Sequence, residues 1–195
     1  MSWLRSIKLE TSRGQIMSKK VIGVHKLHDD AVVPFKGTEL SACYDICACL
    51  HTERVKVYDT LNGIKVDNFG TPDASITLYT QDMALIPTGI VFIIPPNYHL
   101  KFFSRSGNVW KRKLVVANAP AIIDADYTHE SFVMLYNRSH DPIRIKTGDA
   151  IAQCELAYNI PINFEEIDEK YFERCCEVIK KYSSRDGGIG STDKK

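Results

Sequence analysis

The residues best suited to chemistry fall in a few short stretches. In FSRSGNVWKRKLVVANAPAIIDADY, which runs from Phe103 to Tyr127, Arg105, Ser106 and Gly107 set a guanidinium, a hydroxyl and an unobstructed backbone N–H side by side. That combination suits an anion with several acceptor oxygens, although the same tripeptide also makes an ordinary turn with a surface arginine. Asp124 follows two isoleucines and precedes Asp126 and Tyr127. A carboxylate at the end of an apolar strand can act as a general base toward water, and the competing reading is a turn aspartate bonded to its own backbone. In KTGDAIAQCEL a glycine–aspartate turn leads into a strand that points Gln153 away from the face of Ala152,. The closing RDGGIGST carries an arginine, three glycines and two hydroxyls, the materials of a backbone phosphate cradle, without the lysine of a Walker A loop,.

The elements that must position these groups read as β-strands. VIGV, DICACL, VKVY, SITLY, LIPTGIVFII, HLKFF, LVVA, FVMLY, IRI and AIAQCEL are short apolar or alternating runs,. Prolines at 87, 95, 96, 120 and 142 and the Asn, Gly and Asp clusters at 62–73 separate them at intervals too short for βαβ crossovers. The pattern predicts an all-β sandwich, barrel or jelly roll over residues 21–161 and disfavours a Rossmann fold. Residues 55–81, with LNG, DNFG and TPD turns, read as an inserted hairpin or long loop. After Pro161 the period changes: Phe164, Ile167, Tyr171, Cys175, Val178 and Tyr182 recur at steps of three and four, predicting an amphipathic helix over 162–182,. Residues 1–20 read as an N-terminal arm. Residues 183–195 hold one large apolar side chain and read as a flexible, glycine-rich tail,.

Composition limits the function classes. The 195 residues, 44% hydrophobic and 25% charged, suit one folded domain,. Lysine plus arginine number 25 against 24 acidic residues, so no global charge recruits nucleic acid or an anionic membrane,. The longest apolar run, Ile90 to Ile94, is far short of the ~20 residues that cross a bilayer. Without the features of a secretory signal the expectation is a cytoplasmic protein. The six cysteines form no CxxC pair of a zinc site, so they read as reduced thiols, with Cys47 and Cys49 on the inner face of one strand,.

Taken in order, ACYDICA at 42–48, SRSG at 104–107, AIIDADY at 121–127, TGDAIAQ at 147–153 and RDGGIGST at 185–192 resemble the five ordered motifs of the trimeric dUTPase family. The resemblance implies a jelly-roll subunit and a homotrimer whose active sites are shared between subunits. It implies hydrolysis of dUTP to dUMP and pyrophosphate with Mg2+, which keeps uracil out of DNA and supplies dUMP for thymidylate synthesis. Carried over by position, Asp124 would deprotonate the water that attacks the α-phosphorus, and Tyr127 would pack on the deoxyribose where a 2′-hydroxyl would clash. Asn118 and the backbone from Ala119 to Ile123 would read the uracil edge. Arg105, Ser106 and Gly107 would face the phosphates, with Gln153 near the α-phosphate. Asp45 would hold metal-bound water or pair with an arginine. Arg185, Gly190, Ser191 and Thr192 would close over the terminal phosphates, with Ile189 as apolar cover on the base.

The chain departs from the family pattern in several places. Ile189 stands where the family has a stacking phenylalanine, and the interval from Arg185 to Ile189 is one residue short. Cys43, Ala121 and His129 each replace a glycine. Competing readings are a dCTP deaminase, alone or combined with dUTPase activity, and a nucleotide-sensing module that binds a protein partner through residues 55–81, the helix or the N-terminal arm.

Overall fold

The computed structural model of the chain describes residues 8–10, 16–18, 21–50, 54–59, 63–68 and 75–183. Two units are present, Met1–Asn159 and Ile160–Lys195. In chain order the first contains β1 (Lys8–Glu10), β2 (Ile16–Ser18), β3 (Gly23–Lys26), β4 (Tyr44–Cys47), β5 (Arg54–Asp59), β6 (Gly63–Asn68), β7 (Ser75–Leu78), β8 (Met83–Pro87) and β9 (Ile90–Ile93). It continues with β10 (Tyr98–Phe103), α1 (Ser106–Arg112), β11 (Leu114–Val116), β12 (Ala121–Ile123), β13 (Phe132–Asn137), β14 (Ile143–Lys146) and β15 (Ala150–Tyr158). The second unit contains α2 (Glu169–Lys180).

Two antiparallel sheets build the body, one in the order β12-β10-β15-β4 and the other β11-β13-β8-β5-β6, with β14-β7 and β3-β9 as separate pairs. Strands that alternate buried and exposed residues, such as β13 and β14, turn one face inward as a period of two requires,. The inward residues of both sheets meet in one core that includes Ile46, Val57, Ile86, Leu100, Phe102, Leu135 and Ile151. Phe92 and Phe102 meet edge to face, 6.2 Å between ring centroids. Each such side chain contributes about 1.5–3 kcal/mol on burial. This is the all-β class expected from the strand spacing, in the jelly-roll form that the resemblance implies.

Three local expectations change. Residues 55–81 do contain a hairpin, β5 with β6, but the segment is not an insert outside the core: β5 pairs with β8, β7 pairs with β14, and Val55, Val57, Ile76 and Leu78 are buried. Turn clusters around each strand concealed an ordinary alternating pattern. The predicted helix over 162–182 occupies Glu169–Lys180, because the Asp168 carboxylate accepts from the Tyr171 N–H at 2.7 Å and caps the helix there,. Phe164 and Ile167 precede it. Cys47 and Cys49 do face the interior, but so do Ile46, Ala48 and Leu50, so this run is buried on both faces instead of alternating. Within the arm, β1 and β2 pair antiparallel, and residues 184–195 lie outside the described residues. No helix among the described residues is long and apolar enough to cross a membrane.

Candidate active site

The turn between β14 and β15 is locked to β4. Gly148, at φ +87, reaches a backbone region that glycine tolerates best,. Its N–H donates to the Ala48 carbonyl, the Thr147 hydroxyl accepts from Leu50 N–H, and the Asp149 carboxylate accepts from Lys146 N–H. This fixes the start of β15 and hence the row in which Phe103, Gln153 and Asp45 stand side by side on β10, β15 and β4.

Arg105 lies just beyond that row and is anchored by three hydrogen bonds. Its Nε and one terminal nitrogen donate to the two Asp45 oxygens at 2.9 and 3.0 Å, and the other terminal nitrogen donates to the Ala150 carbonyl at 3.0 Å. A bidentate pair of this kind is geometrically specific as well as strong. Of the two roles given to Asp45, the structure shows the arginine pairing. Three of the five guanidinium N–H groups are used, leaving two for another anion. Gln153 donates to the Ser104 carbonyl at 3.1 Å, and the Ser104 hydroxyl accepts from Val116 N–H at 2.8 Å. Asn108, buried, shares the Ala150 carbonyl at 3.0 Å. Ser104 and Asn108 were not singled out from sequence, since their partners lie far away in the chain. Ser106 and Gly107 are exposed at the start of α1, the Ser106 hydroxyl has no hydrogen-bond partner among the described residues, and a Cβ at Gly107 would meet nothing within 4 Å.

The second group sits elsewhere. Asp124 follows β12 and borders a hollow of about 280 Å³ lined by Leu85, Ile122, Ile123, Tyr127 and Phe132. Its carboxylate has no partner among the described residues. Its carbonyl accepts from Tyr127 N–H at 3.2 Å, and the Tyr127 hydroxyl donates to the Glu130 carbonyl at 2.8 Å. Asn118 and Ala119 are exposed in the connection that leads from β11 in one sheet to β12 in the other. Ile123 pairs with Leu100, so Asp124 continues to the level of His99, whereas Gln153 pairs with Phe103. Four residues of strand rise and two interstrand spacings separate Asp124 from Gln153 by about 16 Å. One chain therefore does not bring its own Asp124 to its own Arg105, Ser106 and Gln153. Arg185, Ile189, Gly190, Ser191 and Thr192 lie outside the described residues.

The dUTPase family model matches residues 72–175, which takes in the row of β10 and β15, α1 and the Asp124 hollow. The chain belongs to the dUTPase family. It is 36% identical over 135 residues to the deoxyuridine 5′-triphosphate nucleotidohydrolase of Wolbachia pipientis, a match covering 69% of this chain and 84% of that protein. It is 40% identical over 106 residues to the enzyme of the same name from Desulfotalea psychrophila, covering 54% of this chain and 71% of that one. The fold is similar to that of the dUTPase from phage phi11 of Staphylococcus aureus, solved with a structural Mg(II) ion, at a TM-score of 0.60 and 20% identity over 77% of this chain and 98% of that chain.

The buried thiols are not part of this chemistry. Burial pushes the Cys154 thiol up to about 12, with Cys43 and Asp45 nearby adding to the rise and the Tyr44 backbone bond opposing it. The thiolate that a nucleophile needs is suppressed there.

Proposed function

We propose that the protein hydrolyses dUTP to dUMP and pyrophosphate in an oligomer, the homotrimer of its family, whose sites each combine groups from more than one chain. The observation that carries this is the Asp124 carboxylate, without a partner among the described residues, at the mouth of a hollow walled by Ile122, Ile123 and Tyr127. Asp124 takes the proton of the attacking water. Tyr127 closes the space beside the sugar, so a 2′-hydroxyl meets the ring. The backbone from Asn118 to Ile123 reads the uracil edge. From another chain come the Ser106 hydroxyl, the Gly107 N–H and the two unused N–H groups of Arg105 toward the phosphates. In this arrangement Asp45 and Gln153 act mainly by holding Arg105 and the Ser104 carbonyl in place. Phosphoryl chemistry of this kind needs charge neutralisation and an aligned water more than a protein nucleophile.

Among the described residues no group of three His, Cys, Asp or Glu could hold a metal ion, and Asp45 already accepts from Arg105 on both oxygens. The donor set fits an Mg2+ ion that arrives chelated by the triphosphate and is met by Asp45 through water, as a hard cation that retains several waters would be. Bound there, it would neutralise phosphate charge.

The test is pyrophosphate and ammonia release from dUTP, dCTP, dTTP and UTP in parallel, with wild type and Asp124→Asn. Pyrophosphate from dUTP alone, lost in the variant, is the expected result. Ammonia from dCTP, or undiminished turnover by Asp124→Asn, would overturn the assignment.

A further inference from the structure

The loop from Asp124 to Glu130 is fastened to the body at its far end by a side chain that motif reading passes over. Gly89, between β8 and β9, lies at φ +66, and a Cβ there would stand 2.8 Å from both the Ala31 Cβ and the Cys49 Sγ. Its carbonyl accepts from Leu27 N–H at 2.8 Å, and its own N–H donates to the Glu130 carboxylate at 2.7 Å. A carboxylate acceptor makes this bond stronger than an amide pair would be. The contact continues next door: the Thr88 hydroxyl donates to the Ser131 carbonyl at 2.6 Å, and Ser131 N–H donates to the Ile90 carbonyl at 2.8 Å. The corner of β8 and β9 thus sets the backbone of Glu130 and Ser131. The Glu130 carbonyl held in this way is the acceptor of the Tyr127 hydroxyl, and the His129 ring meets Tyr127 edge-on at 5.8 Å between centroids.

A chain of bonds therefore runs from the rigid corner at Gly89, through the Glu130 side chain and backbone, to the Tyr127 hydroxyl. We infer that Glu130 is a positioning residue that fixes the Tyr127 ring and so sets discrimination between deoxyribose and ribose nucleotides; this rests on the function proposed above. The reason is geometric. Tyr127 is exposed by more than a third, so packing alone leaves its ring free to swing. A filter that works by colliding with one hydroxyl fails when its wall moves by an ångström. The hydroxyl bond removes that freedom only if its acceptor is itself held, and the Gly89–Glu130 bond holds it. Burial that disfavours the charged carboxylate, partly offset by the Gly89 N–H and by His28, agrees with a side chain held in this corner and not extended to solvent.

The experiment measures kcat/KM for dUTP and UTP, and equilibrium binding of dUMP and UMP, in wild type, Glu130→Met, Glu130→Gln, Tyr127→Phe and the Glu130→Met/Tyr127→Phe double variant. Methionine keeps the stem but removes the acceptor, glutamine retains an acceptor, and phenylalanine cuts the same link from the other side. Glu130→Met and Tyr127→Phe should each lower the dUTP-to-UTP ratio about tenfold, the factor carried by one ordinary hydrogen bond. The double variant should fall no further than either single one, and Glu130→Gln should stay close to wild type. Reduced activity toward both nucleotides at an unchanged ratio would mean that Glu130 only supports the fold, and overturns the inference. If Glu130→Met does not fold, an unchanged ratio in Tyr127→Phe overturns it alone. A wild type silent on dUTP removes the proposed function and this inference with it, whereas active wild type with unmoved ratios removes only the inference.

Discussion

Two defective subunits should repair one another. Asp124 stands level with His99 on one side of a sheet, and Gln153 lies opposite Phe103 toward Arg105 and Ser106. The separation of about 16 Å exceeds any hydrogen-bond reach between a general base, its water and groups on the same phosphate. The perturbation pairs Asp124→Asn, which removes the base proposed above, with Ser106→Ala, which removes an exposed hydroxyl that bonds nothing among the described residues. Each alone should lose about 10²–10³-fold in turnover, as loss of a base or of one anion-stabilising donor does elsewhere. In oligomers assembled from an equal mixture, a site is whole when the chain giving Asp124 carries Ser106→Ala and the chain giving Ser106 carries Asp124→Asn. Random assembly makes about one quarter of sites whole, well above either parent. The assay is pyrophosphate release after co-refolding of two differently tagged variants, with native mass spectrometry to show that mixed oligomers formed. Mixed oligomers no more active than the mean of the parents would refute the composite site.

Other outcomes follow from the same geometry. Burial raises Glu130 above its ordinary value, with the Gly89 N–H and His28 opposing the rise, so the charged form is less favoured in the folded chain than in the unfolded one, and the stability present below the unfolded value is lost as pH rises through the folded one. Glu130→Gln should therefore gain melting temperature relative to wild type at pH 7 and lose that advantage near pH 4; a pH-independent difference would contradict it. Maleimide labelling of the native protein at pH 8, read by mass spectrometry, should reach Cys175 and Cys176 well before Cys154, whose thiol is buried and pushed up to about 12. Leu78→Ala should cost about 2–5 kcal/mol, because Leu78 is fully buried, while Tyr79→Ala beside it, 63% exposed, should change denaturant midpoints little; equal effects would show that β7 is not part of the core.

What the sequence revealed and what it concealed divide along a physical line. Strand alternation reports burial directly, so β8, β10, β13 and β15 were legible one by one, and the place of Asp124 was legible because its own neighbours put it at a strand end, whereas Tyr127 was singled out through the family resemblance. The turn clusters between 60 and 74 outweighed the same alternating signal in Val55, Val57, Ile76 and Leu78, so core strands read as an insert. Pairings between distant positions left no local trace. Asp45 and Arg105 are 60 residues apart, and only the register of β4 on β15 and β15 on β10 shows that the aspartate holds an arginine. Gly89 and Glu130 are 41 residues apart, and their bond depends on a positive φ at one glycine. A motif names the group that touches substrate because that group's type is fixed by chemistry. The residue that holds the group in place can be any acceptor at the right point in space, and sequence spacing carries no record of it. The consequence for this chain is that Arg105 and Tyr127, the two residues read most easily as ligand contacts, owe their orientation to Asp45, Ala150, Glu130 and Gly89. Of these only Asp45 was read as a possible partner for an arginine, and Glu130 and Gly89 were not singled out at all.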